Sequence, residues 1–229
     1  MSKIEVIGAN STGATPIKAS YRVVNKGIYA RIGKRLVDIL FVICILPVAF
    51  PLITILAVLV SRDGARPFFG HARIGRNGKS FYCWKLRSMV PDAKERLAAH
   101  LAANPAAKAE WEATFKLNSD PRITRLGQIT RKTSLDELPQ LWNILKGEMS
   151  VVGPRPVTAE ELKKYGSDAV SYKAMRPGLT GLWQISGRND VSYEERVALD
   201  VRYAETFGFW SDLRIIFATA KAVLSRTGK

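Results

Sequence analysis

Apolar and polar positions along this chain fall into blocks of different period. From Ile39 to Val60 the chain reads ILFVICILPVAFPLITILAVLV, about 22 residues without a charge, enough for an α-helix to span a bilayer. Pro47 and Pro51 sit inside that run. Each removes a backbone donor, so a kink or break is expected there. From 68 to 89, FFGHARIGRNGKSFYCWKLRSM alternates apolar and polar residues about Asn77-Gly78, the pattern of a β-hairpin. Residues 91–116 are Ala-rich and helical in pattern, with an interruption at Asn104-Pro105. SLDELPQLWNILKGE, 134–148, predicts a helix with Ser134 as its N-cap, and 191–207 predicts another. Residues 209–226 are amphipathic, and their Phe and Trp suit a membrane surface as well as a core face. Residues 1–28 are polar and rich in Gly, Ser, Thr and Asn, as in a flexible tail.

The flanks of the apolar run change how it is read. Arg31, Lys34 and Arg35 precede it, and Arg62, Arg66, Arg73 and Arg76 follow it. Basic residues favour the cytoplasmic side, so a simple span leaves one cluster misplaced. A helix that breaks at the prolines and leaves on its face of entry satisfies both clusters; a kinked full span is the alternative. The run is too long, and too far from Met1, for a signal peptide. The layout expected is therefore a tail over 1–28, a membrane helix over 29–62 and a domain over 63–229 on the cytoplasmic face.

Composition narrows the partners. Apolar residues make up 47 % and the net charge is +15, so the chain folds and attracts anions: nucleic acid, anionic lipid or a phosphorylated substrate. Cys44 and Cys83 form no C-x-x-C pair, and His71 and His100 are isolated, so neither a disulfide framework nor a zinc or His-rich metal site is signalled. P-loop, nucleophile-elbow and H-E-x-x-H motifs are absent.

Chemistry is concentrated in Arg-, Gly- and Pro-rich stretches that carry Arg122, Arg125, Arg131, Arg155, Arg176 and Arg188. A guanidinium on a stiff loop is a phosphate clamp, though any one of these can equally be a solvated or ion-paired arginine. Asp136-Glu137 has two readings. Acidic residues in a first helical turn complement the macrodipole. Alternatively, one carboxylate attacks phosphorus while its neighbour, about 100° round the helix, holds a divalent ion.

The blocks KRLVDI, WKLRSM, DPRITRLG, RKTSLDELPQLWNILKGEMSVVGPRP, RPGLTGLWQISGRND and LDVRY resemble, in order, the bacterial sugar transferase family. These are monotopic phosphoglycosyl transferases acting on polyprenyl phosphate. The likeness is greatest to the short exopolysaccharide-initiating undecaprenyl-phosphate galactose phosphotransferases. The resemblance implies an α+β, mainly helical monotopic fold with a re-entrant, proline-broken membrane helix, a small β-hairpin and interfacial amphipathic helices. The family's Ser-Pro break aligns with Phe50-Pro51, and Pro47 is additional. It implies Asp136 as nucleophile and Glu137 as ligand of Mg²⁺, with Lys85, Arg131, Arg155, Arg188 and Asp200 in the polar site. It also implies a UDP-sugar donor, galactose before glucose or an N-acetylated hexosamine, and undecaprenyl phosphate as acceptor at the bacterial inner membrane. A homo-oligomer and later polysaccharide-assembly glycosyltransferases fit as partners; nucleic acid does not. The rival readings are a basic nucleic-acid binder and a non-catalytic scaffold.

Overall fold

A computed structural model describes residues 27–114, 117–186 and 192–224. The tail reading falls almost wholly on 1–26, outside the described residues.

The apolar run forms α1, Lys34–Val60, entered through a π-helical turn at Tyr29–Gly33 and left through a 3₁₀ turn at Ser61–Asp63. The expected break is absent. Pro47 and Pro51 both lie inside one continuous helix. They are four residues apart, so both lost amide donors fall on one side and the remaining ladder carries the helix past them. Asp38, Val42, Ala49 and Leu56 form a buried stripe along α1, while Leu40, Ile43, Val48, Ile55 and Val58 are exposed.

Both ends of α1 are fastened to the same body. Lys34 donates to Asp212 at 2.7 Å and to the Tyr203 hydroxyl at 3.0 Å. Arg35 donates to the carbonyls of Ile144 and Leu145. Asp38 accepts from the Ser150 hydroxyl at 2.9 Å and the Val151 amide at 2.8 Å. At the far end Arg87 donates to the Val60 carbonyl at 2.8 Å and pairs with Asp63 at 2.6 Å.

The hairpin matches its sequence pattern. β1, Phe68–Ile74, pairs antiparallel with β2, Ser80–Leu86, through a turn in which Asn77 and Gly78 take positive φ. α2, Ala93–Ala103, and α3, Pro105–Thr114, are separated where expected. The Asn104 side chain accepts from the Ala107 amide, and Pro105 occupies the first helical position. α4, Arg125–Lys132, was not foreseen; Thr124 caps it by accepting from the Gly127 amide at 2.9 Å.

The helix expected over 134–148 is two elements. Leu135–Glu137 is a single 3₁₀ turn, and α5 is Gln140–Lys146. Ser134 makes no capping bond and has φ 58°. Pro139 has no amide to give to the Leu135 carbonyl, which accepts the tighter 3₁₀ bond from the Leu138 amide at 3.3 Å instead, and the regular helix starts only after the proline. α5 ends at Gly147 with φ 78°, as a left-handed C-terminal glycine does.

A short parallel pair follows: β3, Ser150–Val152, alongside β4, Gly178–Thr180. Between them lie α6, Ala159–Lys163, and α7, Ala169–Ala174; α8, Leu182–Ile185, follows. Gly153 lies so near the backbone of Arg176 to Gly178 that a Cβ would strike it. α9, Tyr193–Thr206, opens with a Ser192–Glu195 capping box, and α10 is Phe209–Leu224. α10 has a buried side with Asp212 and Ile215 and an exposed side with Trp210 and Phe217. The main core joins Val42 and Ala49 of α1 to Phe81, Ile144, Val151, Tyr203 and Ile215. A satellite core forms around Tyr165, Tyr172 and Val197.

Candidate active site

A cleft of about 780 Å³ opens on one face of the hairpin. Side chains alternate across a strand, so Phe69, His71 and Arg73 of β1 and Cys83 and Lys85 of β2 reach it together. Segment 86–95, the end of α4, the acidic turn and Trp183-Gln184 complete its lining.

Asp136 lies in its wall, 7 % exposed. Burial pushes its carboxyl up to about 6, opposed by the charges of Lys85 and Arg131 and reinforced by Glu137. Glu137 is partly exposed and accepts from Lys85 Nζ at 2.6 Å. The adjacent carboxylates thus differ: one is desolvated, the other is held by a cation at the cleft wall.

Ser88 sets the position of Arg131. Its hydroxyl accepts from Arg131 Nε at 2.8 Å, and its carbonyl accepts from the Thr124 amide at 3.1 Å. Gly127 of α4 lies directly on the Ser88 backbone, where any Cβ would collide. The missing side chain lets α4 approach and brings Arg131 over the cleft. WKLRSM contains Ser88, but nothing in its spacing marked it. His71, Arg73, Lys94, Lys132 and Trp183 are further cleft residues outside the sequence-derived set. Burial and the charge of Arg73 hold the His71 imidazole below its usual value.

The sequence-derived residues do not all meet here. Lys85, Arg131, Asp136 and Glu137 line the cleft; Arg155 and Asp200 do not. Asp200 is 3 % exposed, accepts from the Tyr165 hydroxyl at 2.8 Å, and faces the Arg155 amide at 3.4 Å. Burial pushes its carboxyl up to about 7. The Arg155 and Arg196 guanidinium groups lie 5.1 Å and 4.9 Å from the Trp183 ring. This cluster therefore braces the Trp183 wall of the cleft. Arg188 lies outside the described residues. Pro47 and Pro51 belong to α1 and do not line the cleft. Two other candidate clamps have structural partners: Arg122 pairs with Asp120 at 2.6 Å, and Arg176 donates to the Gly147 carbonyl at 2.8 Å.

Chemically, the cleft offers a buried carboxylate and several cations, a combination that suits a diphosphate ester. No cluster of three or more His, Cys, Asp or Glu occurs among the described residues. Two adjacent carboxylates nevertheless fit Mg²⁺, which is held by one or two carboxylates plus substrate phosphates rather than by a protein cage.

Comparison with known proteins identifies the family. The family described as bacterial sugar transferase matches residues 29–226. The chain is 52 % identical over 199 residues to the UDP-galactose-lipid carrier transferase of Erwinia amylovora, covering 87 % of this chain and 42 % of the relative. It is 53 % identical, with the same coverage, to the undecaprenyl-phosphate galactose phosphotransferase of Salmonella typhimurium. It thus spans less than half the length of these two relatives. It is also 53 % identical to the exopolysaccharide production protein ExoY of Rhizobium meliloti, over 85 % of this chain and 87 % of that protein.

Proposed function

The chain belongs to the bacterial sugar transferase family, and from that membership we propose that it moves a sugar-1-phosphate from a UDP-sugar to undecaprenyl phosphate. Galactose is the sugar proposed, because the names of two relatives specify it. The observation that carries the reading is Asp136: a buried carboxylate in a cationic cleft, beside a second carboxylate held by Lys85.

A carboxylate oxygen of Asp136 attacks the β-phosphorus of the donor. The bond from that phosphorus to the bridging oxygen breaks, and UMP leaves with the electron pair. An oxygen of the acceptor phosphate then attacks the same phosphorus. The acyl phosphate bond breaks, Asp136 returns as carboxylate, and polyprenyl-diphosphate-sugar is released. Arg131 and Lys85 offset charge on the phosphoryl oxygens. Glu137, with the donor phosphates, would hold Mg²⁺, which when bound supplies charge neutralisation of the diphosphate.

The geometry of α1 supports a reading of how the chain meets the membrane. Its 27 residues make a helix about 40 Å long. An upright span would put its two ends on opposite faces of the bilayer. Here Lys34 and Arg35 at one end, and Val60 and Asp63 beyond the other, bind the same domain. In this reading the unbroken α1 lies along the domain, with both ends on the cytoplasmic face and its exposed apolar side in lipid. Both basic flanks then stay inside, and the cleft opens where a soluble donor meets a lipid phosphate.

The test is UMP release from UDP-galactose, UDP-glucose and N-acetylated donors, with and without undecaprenyl phosphate, for wild type and Asp136→Asn. Lipid-dependent turnover of one donor, with a sugar-phosphate adduct mapped to Asp136 and lost in the variant, is the expected result. No UMP from any donor overturns the reading.

A further inference from the structure

A second cavity, of about 470 Å³, lies between α1, the hairpin and α5. Leu46 and Phe50 of α1, Phe68 and Trp84 of the hairpin, and Leu138 and Trp142 are among its walls. Its size falls in the range of clefts that hold small ligands, about 300–1,000 Å³. The donor chemistry of the polar cleft makes no use of it.

Three neighbour pairs relate it to that cleft. Phe69 lines the cleft and Phe68 the groove; Lys85 the cleft and Trp84 the groove; Glu137 the cleft and Leu138 the groove. For the first two, strand alternation is the cause, since Phe69 is paired with Lys85 across the hairpin. One wall, a residue thick, therefore has anion chemistry on one side and apolar surface on the other. Leu138 and Pro139 place the groove immediately after the acidic pair.

The groove also continues the apolar outer side of α1. Leu46 and Phe50 line it and are 36 % and 64 % exposed, so the side chains facing lipid also form its edge. Trp142, 59 % exposed, stands at the rim as an amphipathic aromatic does at a membrane interface. The cation in the lining is Lys146, seven residues along the chain from Pro139 and already paired with Glu148 at 2.8 Å. A headgroup at that end would compete with a carboxylate, whereas a phosphate at the Leu138 end lies beside Lys85 and Asp136.

We propose that this groove is the seat of the acceptor's hydrocarbon: the isoprene units next to the phosphate of a prenyl phosphate lie between Phe50, Trp84, Leu138 and Trp142. The remaining chain runs out along α1 into the bilayer. The phosphate is thereby held at the acidic turn, where it attacks the sugar-phosphate on Asp136. This assignment rests on the transferase reading above.

Two measurements on the full chain in nanodiscs test it. A prenyl phosphate with a diazirine on an isoprene unit near its phosphate is photolysed, and adducts are mapped by mass spectrometry. Adducts on Leu46, Phe50, Leu138 or Trp142, competed by undecaprenyl phosphate and not by phospholipid, are expected. Adducts elsewhere overturn the assignment. Equal competition by phospholipid also overturns it and makes the groove a seat for bilayer acyl chains. In parallel, Trp142→Ala and Phe50→Ala are expected to raise KM for undecaprenyl phosphate about tenfold, as truncating a buried apolar anchor does, with KM for the UDP-sugar moving far less. Equal changes in both constants overturn the groove. Crosslinking needs no turnover, so it reads the groove even where the UMP assay has failed.

Discussion

Replacing Lys85 by Met tests whether the cleft keeps Asp136 ionised, as the proposed attack requires. Burial pushes that carboxyl up to about 6, and the Lys85 charge is the largest influence opposing the rise. A nearby opposite charge shifts a carboxyl by about 1–3 units, and Lys85 is 35 % exposed, so solvent screening favours the low end, about one unit. The variant should then titrate near 7. The ionised fraction falls from about 90 % to about 50 % at pH 7, and from about 24 % to about 3 % at pH 5.5, on the ordinary titration curve. The predicted loss is thus about twofold at neutral pH and about eightfold in mild acid. The assay is kcat/KM for the UDP-sugar against pH, which reports groups of the free enzyme. Lys85→Arg keeps the charge and should leave the acid limb in place. Glu137→Gln removes a charge that raises Asp136, so its acid limb should move the opposite way, below about 6. An unmoved midpoint in Lys85→Met, with only a lower plateau, would refute the electrostatic role and leave Lys85 as a substrate contact. Limbs that move in the same direction for Lys85→Met and Glu137→Gln would refute the coupling itself.

Other residues give independent tests. Asp38→Ala removes the acceptor of both the Ser150 hydroxyl and the Val151 amide, and stranding two buried donors should cost about 3 kcal/mol, read as a lower urea midpoint. Gly127→Ala drives a Cβ into the Ser88 backbone, so α4 and Arg131 must shift; a lower Tm and slower UMP release are expected together. Asp200 titrates near 7 in the fold, above about 3.9 when unfolded, so the folded state binds the extra proton and wild-type stability falls as pH rises between those values. Asp200→Asn escapes that loss. Its Tm advantage should grow from about pH 4 to about pH 7 and then stay level, and a pH-independent difference would contradict the assignment.

Local pattern was enough for the elements whose causes are local. The hairpin about Asn77-Gly78, the interruption at Asn104-Pro105 and the length of the apolar helix each follow from residues within a few positions of one another. Turn chemistry, capping and a charge-free run act over that range, so one sequence carries them in full. The family motifs likewise carry Asp136, Glu137, Lys85 and Arg131, four residues that line one cleft. The helix across 134–148 was misread because Pro139 counted for less than the apolar pattern around it. The break in α1 was misread because a proline costs a helix one bond, and neighbouring turns and packing can retain the rest.

What tertiary structure decided is everything that depends on meeting. From Ile39 to Val60 α1 is apolar around its circumference, so nothing in that run says that Val42, Ala49 and Leu56 turn inward; the bonds of Asp38 to Ser150 and Val151 and the core around them make that choice. Arg131 reaches the cleft because Gly127 lets α4 touch Ser88, a contact between segments about 40 residues apart. Arg155 and Asp200 share the family's motifs with the acidic pair, yet Arg155 lies over the Trp183 ring and Asp200 is held by Tyr165, neither lining the cleft. The sequence by itself determined the chemical groups, the short-range elements and the long apolar segment, because those are properties of neighbours in the chain. Which groups share one cavity, and which side of the apolar helix faces the protein, depended on long-range packing, because only the closed fold brings those surfaces together.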